Sequence, residues 1–507
     1  MKYIKTLFAT AAILSAASAC PQQMSQLTKA IFSAYEETLR EDPKDYITLY
    51  RRAVEYYRLD MYANALDDVE AAIKYTPAKE ADLLMHEYSL MSDIYIQLED
   101  NSKALEAANK ALTINPKSYS DLYRKGNIYL AMKDADNAYS TFQSMIRLKS
   151  RSQEAFFGMA KASALKGSTE EANQLLEEMK NVDSTSALTY CRIGEVYHDL
   201  GEMEKSVVNY LTAISLGDDI QRPFAGLEQV ARENYDAFSR GFDFAESKNS
   251  GNSFMSYIRA AICANTGHLN DAYSVYRKLA QSEDVSASTL TRAAHVCLSL
   301  NKLDEAKTYA DKAISMQPTA DAYLVKSAVE LANNSPATGL LFASKAYSSA
   351  NPDTQSLMAM AKAAIAQGDA KAATDALNEA VLIDAEAVDA LLLRAYVKRY
   401  MQNDNSGANG DLQRAANTQA DRLPALAYRA IAQTLSGKTL DGEATISGML
   451  AKGETPEALA YAAVYYAQTG NADKAQGYRD KAEAAGYENV YLFDTDKTPY
   501  LSLSTKY

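Results

Sequence analysis

Small side chains return along this sequence at a fixed interval of 34 residues. A period of this length is typical of chains built from repeated helix–turn–helix units, each of which buries its apolar face only against its neighbours. The chain is therefore expected to fold as a stack of such units rather than around one central core. Two series of small residues follow the interval, namely Ala104, Ala138, Ala172, Ser206 and Ser92, Gly126, Ala160, Gly194.

Residues 85–116 show how one such unit is built. Apolar and small side chains recur in this stretch every three or four residues, as they do on one face of a helix. The polar pair Asn101-Ser102 divides the stretch and is typical of a helix start, and Pro116 stands where a second helix must end. The stretch therefore predicts two helices that cross where the small residues lie.

This pattern resembles the tetratricopeptide repeat family. That family has a tyrosine-like position in the first helix, a glycine in the turn, alanines in the second helix and a closing proline. Its tryptophan has no counterpart here, since the chain contains none. The matching residues are Tyr56, Tyr95, Tyr129 and Tyr197 for the tyrosine, Gly167, Gly201, Gly267, Gly368 and Gly470 for the glycine, Ala65 with Ala72, Ala104 with Ala111, Ala306 with Ala313, Ala373 with Ala380 and Ala475 with Ala482 for the alanines, and Pro77, Pro116 and Pro318 for the proline.

The resemblance implies an all-α fold, a right-handed superhelical solenoid of about 13 helix–turn–helix units whose first helices line a concave surface. A short insertion at residues 78–84 delays the second unit. The phase of the repeat predicts unit starts near Tyr46, Met85, Tyr119, Gln153, Ala187, Ser253, Ala287, Ala320, Thr354, Val388 and Pro456, with poorer units near Gln221 and Arg422.

The same phase divides the chain into six segments. The boundary after residue 19 is the predicted cleavage site of a signal peptide, and the other boundaries fall where the repeat begins, breaks or ends. The predicted segments are a signal peptide at 1–19, an N-terminal capping helix at 20–45, a first half of the array at 46–217, a degenerate repeat or hinge at 218–252, a second half at 253–486 and a non-helical tail at 487–507.

The N-terminal segment has the composition of a secretory signal peptide. Lys2 and Lys5 precede an apolar run at residues 6–13, which is too short to span a membrane. The run Ala17-Ser18-Ala19 fits ordinary cleavage before Cys20, and we expect an exported, periplasmic or cell-envelope protein of bacterial type. The same residues also form an imperfect lipobox, so a lipoprotein anchored through Cys20 is the alternative.

Charge and hydropathy narrow the possible partners. The formal net charge is −13, which opposes binding to nucleic acid and to anionic membrane surfaces. After the signal peptide, the sequence has no apolar stretch of the roughly 20 residues that a transmembrane helix needs. The partner is therefore expected to be another envelope protein or a peptide segment of one.

The sequence contains no recognisable catalytic, cofactor or metal motif. His86, His198, His268 and His295 lie in four different units with no ligand spacing between them. Cys263 and Cys297 occupy equivalent positions in adjacent units, about 8–10 Å apart at ordinary helix packing, which is too far for a disulfide. We therefore predict no catalytic residues, no cofactor and no metal, and a protein that is not an enzyme.

The candidate binding residues follow from the family, in which first-helix positions line the groove. Tyrosine and arginine suit this role because they bury area and still donate hydrogen bonds. Acidic neighbours such as Asp93 and Glu195 favour a partner with basic character, and Tyr396, Arg399 and Tyr400 form a second candidate site. The lysine and asparagine clamp that some family members use for a terminal carboxylate is missing. The predicted partner-binding residues are Tyr50, Tyr57, Arg58, Asp93, Tyr123 and Asn127.

These observations favour a non-catalytic scaffold or adaptor that binds a protein or peptide through its concave first-helix surface. Two other classes stay open. One is a glycan- or nutrient-binding envelope protein, although such sites favour tryptophan platforms. The other is an enzyme whose site is assembled from several units.

Overall fold

The computed structural model describes residues 21–217, 220–248, 253–349, 353–418 and 423–489. The predicted signal peptide and Cys20 lie outside these residues. Within the described ranges the chain is helical throughout and has no strand: a single helix is followed by 26 more in 13 consecutive pairs. The predicted all-α solenoid of about 13 helix–turn–helix units is confirmed. The chain divides into two compact halves, one ending at Pro223 and one beginning at Phe224.

The N-terminal half contains a leading helix and five helix pairs. The leading helix, α1, spans Pro21–Glu41. The pairs are α2 (Tyr46–Arg58) with α3 (Tyr62–Tyr75), α4 (Ala81–Gln97) with α5 (Asn101–Ile114), α6 (Tyr119–Ala131) with α7 (Ala135–Leu148), α8 (Gln153–Leu165) with α9 (Thr169–Val182), and α10 (Ala187–Asp199) with α11 (Met203–Leu216).

The boundary between the halves lies in the first turn of α12 (Gln221–Glu233), which is followed by α13 (Tyr235–Lys248). The segment expected to be a degenerate repeat or a hinge therefore supplies a helix pair. Whether it bends as a hinge stays a prediction.

Seven pairs follow in the C-terminal half. The first helix of the fifth of these pairs, Val388–Tyr396, continues directly into a five-residue π-helical segment, Val397–Met401. The pairs are α14 (Ser253–Asn265) with α15 (Leu269–Leu279), α16 (Ala287–Ser299) with α17 (Leu303–Met316), α18 (Ala320–Ala332) with α19 (Pro336–Ser349), α20 (Thr354–Ala366) with α21 (Ala370–Ile383), α22 (Val388–Tyr396) with α23 (Asn405–Thr418), α24 (Leu423–Leu435) with α25 (Thr439–Ala451), and α26 (Pro456–Gln468) with α27 (Ala472–Ala484).

Two local predictions differ from the structure. The second repeat begins at Ala81 rather than Met85, because residues 81–84 of the insertion form an extra first turn of α4. The cap of α5 is Asp100 rather than Asn101-Ser102: its side chain accepts a hydrogen bond from the Lys103 backbone N–H. Asp is as good an N-cap as Asn or Ser, so the helix starts one residue early.

The turn inside most repeats contains a residue in the left-handed conformation. Gly167 has a φ of 71°, and the N–H of the next residue, Ser168, donates to the Ser163 carbonyl at 2.9 Å, which closes the end of α8. Lys133 takes the corresponding place after α6 with a φ of 57°. The turn conformation therefore persists where the glycine is missing, at some conformational cost.

Small residues let the helices of a repeat approach closely. Ala104, Ala138, Ala172 and Ser206 are all fully buried. The Phe142 ring of α7 packs against Gly126 of α6 and Gly158 of α8, where an added Cβ would come within 2.5 Å of the ring. One aromatic side chain thus fills the space that glycines open in two successive first helices.

Candidate functional site

The predicted binding residues lie on the first helices of the N-terminal half. We call the surface that α2, α4, α6, α8 and α10 form the first-helix face. Its polar side chains are mostly half-buried between neighbouring first helices, whereas the small residues beneath them are buried completely. Stacking of repeats therefore brings side chains from several helices onto one surface.

Tyr50, Tyr57 and Asp93 come together between α2 and α4. Both tyrosines are half-buried and pack against the core of the first two repeats. Burial raises the pKa of Tyr57, and the Asp93 carboxylate raises it further. The pKa of Tyr50 is raised by burial and then by Glu87 and Asp93. One carboxylate, that of Asp93, thus acts on both phenols.

Asp93 is also held by an arginine from the next repeat. The Arg124 guanidinium donates from Nε to Asp93 Oδ1 at 2.6 Å and from Nη2 to Asp93 Oδ2 at 2.9 Å. Its Nη1 donates to Asp121, a carboxylate that is 1% exposed and also receives the Ser89 hydroxyl at 2.7 Å. Bidentate pairs of this kind fix geometry well, so α4 and α6 are locked together at the site.

Tyr123 lies further along the face, near a second ion pair. Its ring packs edge-on to Phe142 with centroids 6.2 Å apart. Arg222 lies close enough to Tyr123 for the two groups to interact electrostatically, and it donates two hydrogen bonds to Glu195, at 2.6 and 2.9 Å. Tyr123 therefore belongs to a neighbouring part of the same face rather than to the Tyr50–Tyr57 cluster.

The other two predicted residues are placed differently. Arg58 is half exposed and pairs with Glu55 of its own helix at 3.0 Å. It also acts on Tyr35 of α1, so it belongs to the α1 side of α2. Asn127 is half-buried on α6. The structure thus joins three of the six predicted residues closely and spreads the other three.

Sequence reasoning missed Arg124 as a member of the site. Asp93 and Arg124 are 31 residues apart, one helical turn less than the repeat, and Ser89 and Asp121 are 32 apart. Opposite charges or hydrogen-bonding pairs at this separation would have been a usable signal. Because arginines already pair with Asp93 and Glu195, these two acids no longer give a reason to expect a basic partner.

The second predicted site is internally bonded. Tyr396 ends α22, and Arg399 and Tyr400 lie in the π-helical segment. The rings of Tyr396 and Tyr400 have centroids 4.9 Å apart. The Tyr400 hydroxyl donates to Gln468 Oε1 at 3.1 Å, and Arg399 Nη2 donates to Asn409 Oδ1 at 2.6 Å. These contacts fix all three side chains to the scaffold.

The cysteines of the described chain are buried free thiols. Burial raises the pKa of Cys191 to about 12, of Cys263 to about 11 and of Cys297 to about 12, so none is a ready nucleophile. In the described ranges, His, Cys, Asp and Glu side chains do not gather in groups of three or more that could hold a metal ion.

The C-terminal half contains a cavity that the sequence did not predict. It has a volume of about 390 Å³ and opens among the first helices α16, α18 and α20. Its polar wall includes Tyr276, Arg292, His295 and Lys362. These residues are far apart in the sequence, and no motif joins them.

Comparison with known proteins identifies part of this architecture. The tetratricopeptide repeat family model matches residues 88–118, 187–216 and 287–319, which correspond to the pairs α4/α5, α10/α11 and α16/α17. The chain contains tetratricopeptide repeats. Proteins built from these repeats are in general protein-binding scaffolds.

One curated relative also carries these repeats. The TPR repeat-containing protein MJ1428 of Methanocaldococcus jannaschii is 24% identical over 232 residues. The match covers 45% of this chain and only 36% of that relative.

Two solved structures illustrate the spatial likeness. Yeast Tom70 has a TM-score of 0.41 at 14% identity, with 91% of this chain and 95% of that chain covered. TTC0263 of Thermus thermophilus, a thermophilic TPR protein, has a TM-score of 0.30 at 17% identity and covers 36% of this chain and 96% of its own. Neither superimposes closely on this protein.

None of the helices in the described ranges combines the length and apolar character needed to cross a membrane.

Proposed function

We propose that this protein is a non-catalytic scaffold of the bacterial cell envelope. Its first-helix face would hold an extended or helical segment of another envelope protein. The repeats support this proposal, because a stack of first helices presents a long continuous surface to a partner.

The observation that carries the proposal is the cluster of Tyr50, Tyr57, Asp93 and Arg124. Two half-buried phenols stand beside an ion pair that two hydrogen bonds hold in place. Tyrosine and arginine are enriched among the residues that dominate binding energy, because they combine a large contact area with hydrogen-bond donors. Fixing these side chains in advance lowers the entropy that binding must remove.

Charge on the face is largely balanced. Asp93 pairs with Arg124 and Glu195 with Arg222, and Lys161 Nζ lies 3.0 Å from Asp199 Oδ2. We therefore infer that the partner segment is polar rather than strongly basic, and that it packs against the tyrosine rings of the face. Its association rate would depend only weakly on salt.

The envelope location rests on the N-terminal sequence. Residues 1–19 have the charge and apolar run of a signal peptide, and Ala17-Ser18-Ala19 precedes Cys20. The proposed mature chain begins at Cys20 without lipid; attachment to the membrane through Cys20 is the alternative. Subcellular fractionation of the source organism tests the location, and recovery in the cytosolic fraction would contradict it.

Site-specific photocrosslinking tests the binding face directly. A photoreactive amino acid placed at Tyr57 is expected to capture one defined envelope protein in the living cell, because Tyr57 lies at the proposed contact. The matched control places the same photoreactive amino acid at Tyr139, a half-buried tyrosine on the second helix α7, and this variant should not capture that protein. Equal capture from both positions, or none from Tyr57, would contradict the proposal.

A further inference from the structure

The cavity in the C-terminal half is built by three successive repeats. Its walls come from α16, α18 and α20, with Tyr276 from α15, Asp389 from α22 and Asn489 from the segment after α27. Its volume of about 390 Å³ falls within the range of roughly 300–1,000 Å³ that small-molecule sites occupy.

The segment after α27 is anchored beside this cavity. The Glu488 carboxylate accepts a hydrogen bond from the Asn270 backbone N–H at 2.7 Å, at the start of α15. This bond joins residues 218 positions apart in the sequence. Asn489, the residue after Glu488, lies in the cavity wall, so the residues that follow the last repeat contribute to the same site as Tyr276 of α15.

Two neighbouring side chains in the wall, the Tyr276 phenol and the Arg292 guanidinium, have no carboxylate partner among the described residues. Tyr276 is 1% exposed, and its hydroxyl has no hydrogen-bond partner of standard geometry. Among the described residues, no carboxylate lies within ion-pair distance of the Arg292 guanidinium; the Tyr257 ring lies 5.8 Å from it. Burial raises the pKa of Tyr276 and Arg292 opposes the rise, which shows that these two donors are neighbours.

Two other titratable side chains of the wall, Lys362 and His295, are either balanced by an opposite charge or neutral at pH 7. Lys362 is 8% exposed, and burial lowers its pKa to about 8 while Asp389 opposes that shift. Burial, assisted by Arg292, lowers the pKa of His295 to about 4, so this imidazole is neutral at pH 7. Asp321 lines the cavity but is exposed to solvent. Within the described part of the chain, Arg292 therefore gives the cavity wall a positive charge with no carboxylate at ion-pair distance.

The rest of the wall is apolar. Val296, Leu298, Leu331 and Met358 are buried and line the cavity, and Leu324 is half-buried beside them. A ligand that fits this wall must combine an apolar body with one acceptor group. Phosphate and other fully hydrated anions would leave the apolar wall of the cavity with nothing to pack against.

We propose that this cavity binds a small amphipathic carboxylate, whose carboxylate accepts hydrogen bonds from Arg292 and Tyr276 and whose apolar body packs on Val296, Leu324 and Met358. A guanidinium matches the two oxygens of a carboxylate, and the phenol supplies a further donor. The site belongs to the C-terminal half and is independent of the proposed protein-binding face.

Calorimetric titration of the full chain with octanoate tests the proposal, with octanamide and inorganic phosphate as comparison probes. Octanoate is expected to bind, and octanamide, which has the same chain without the charge, to bind at least about tenfold more weakly. Arg292→Gln should weaken octanoate binding at least about tenfold and Tyr276→Phe about threefold. Arg277→Gln, which removes an exposed arginine of α15 outside the cavity, should bind octanoate as the wild type does.

A second variant keeps the test independent of folding. Ser288 lines the cavity but is exposed, so Ser288→Trp should obstruct it without disturbing the core and should abolish octanoate binding. Lack of octanoate binding to the wild type, unchanged binding by folded Arg292→Gln or Ser288→Trp, or equal affinity for octanoate and octanamide would overturn the proposal. The proposal would also be overturned if the wild type bound phosphate, or a peptide with a free C-terminal carboxylate, but did not bind octanoate.

Discussion

Arg124 joins two repeats by holding the Asp93 carboxylate with two hydrogen bonds, from Nε at 2.6 Å and from Nη2 at 2.9 Å. The guanidinium side chain is 16% exposed and that of Asp93 33%. The same arginine also pairs with the buried Asp121. One guanidinium therefore neutralises two carboxylates from adjacent first helices. It also fixes the position of Asp93, the carboxylate that acts on Tyr57.

Removing this cation should destabilise the N-terminal half. Arg124→Met keeps an unbranched apolar stem but leaves Asp93 and Asp121 side by side without a counter-charge. We expect a loss of about 2 kcal/mol in the free energy of unfolding, measured by urea denaturation. Lys110→Met is the control, because it breaks a surface pair with Glu106 and a contact with the Tyr88 ring, and should cost about 0.5 kcal/mol or less. Equal losses for the two variants would show that the Arg124 network contributes no more than a surface pair.

Enlarging a small residue in the core should also destabilise the array. Ala138 is fully buried against the neighbouring helix, so Ala138→Leu must displace packed side chains, at a typical cost of about 1–3 kcal/mol. Hydrogen exchange should show the loss of protection concentrated in α6 to α9, since each repeat contacts mainly its neighbours. Ala131→Leu, at the exposed end of α6, is the control and should unfold like the wild type. A neutral Ala138→Leu would contradict the assigned packing.

Glu87 predicts a dependence of stability on pH. Its side chain is fully buried, and burial raises its pKa to about 7, partly opposed by Thr76. Thr76 Oγ1 lies 2.7 Å from Glu87 Oε1 and 2.8 Å from the Ala72 carbonyl oxygen. The single Thr76 proton can serve only one of these acceptors, whereas a protonated Glu87 can donate to Thr76 while Thr76 donates to Ala72.

The sign of the effect follows from the two pKa values. An unfolded glutamate has a pKa of about 4.3, so between about pH 4.3 and pH 7 the folded state binds one proton more than the unfolded state. The stability from this group is complete below about pH 4 and falls as the pH rises to about 7. Glu87→Gln, which is always neutral, should therefore be more stable than the wild type at pH 8, by at most about 4 kcal/mol, and similar to it near pH 4. The check is the difference in urea midpoint across this range; a difference that does not vary with pH would refute the assignment.

The proposed export predicts a defined mature N-terminus. Cleavage after Ala19 would leave Cys20 as the first residue. Intact-mass measurement of the native protein should give the mass of residues 20–507 without an adduct. A diacylglyceryl adduct on Cys20 would instead establish the membrane-anchored alternative.

Much of the fold could be read from the sequence because repeats impose a fixed phase. First helices begin at Tyr119, Gln153 and Ala187, as the 34-residue interval predicts. The start at Ala81 was missed because the insertion has no counterpart in the other repeats, and only its helical continuation into α4 reveals its role.

The sites were harder to predict, because they depend on contacts between repeats. The sequence placed Tyr57 and Asp93 on one face, but the pairing of Asp93 with Arg124 of the next repeat shows only in their 31-residue separation. The cavity illustrates the same difficulty, since Tyr276, Arg292 and Lys362 come from three different repeats. Which side chains meet depends on the rotation between neighbouring repeats, and the residues of a single repeat do not determine that rotation.

The most direct test of the account is the affinity of the captured envelope protein for a variant that lacks both tyrosines. Tyr50→Ala with Tyr57→Ala removes the two phenols of the cluster. If these are binding hot spots, each worth about 2 kcal/mol, the dissociation constant should rise well over tenfold. Tyr139→Ala should bind as the wild type does, and circular dichroism should show all three proteins folded. A folded double variant that binds with wild-type affinity would contradict the central claim and move the search to Tyr396, Arg399 and Tyr400.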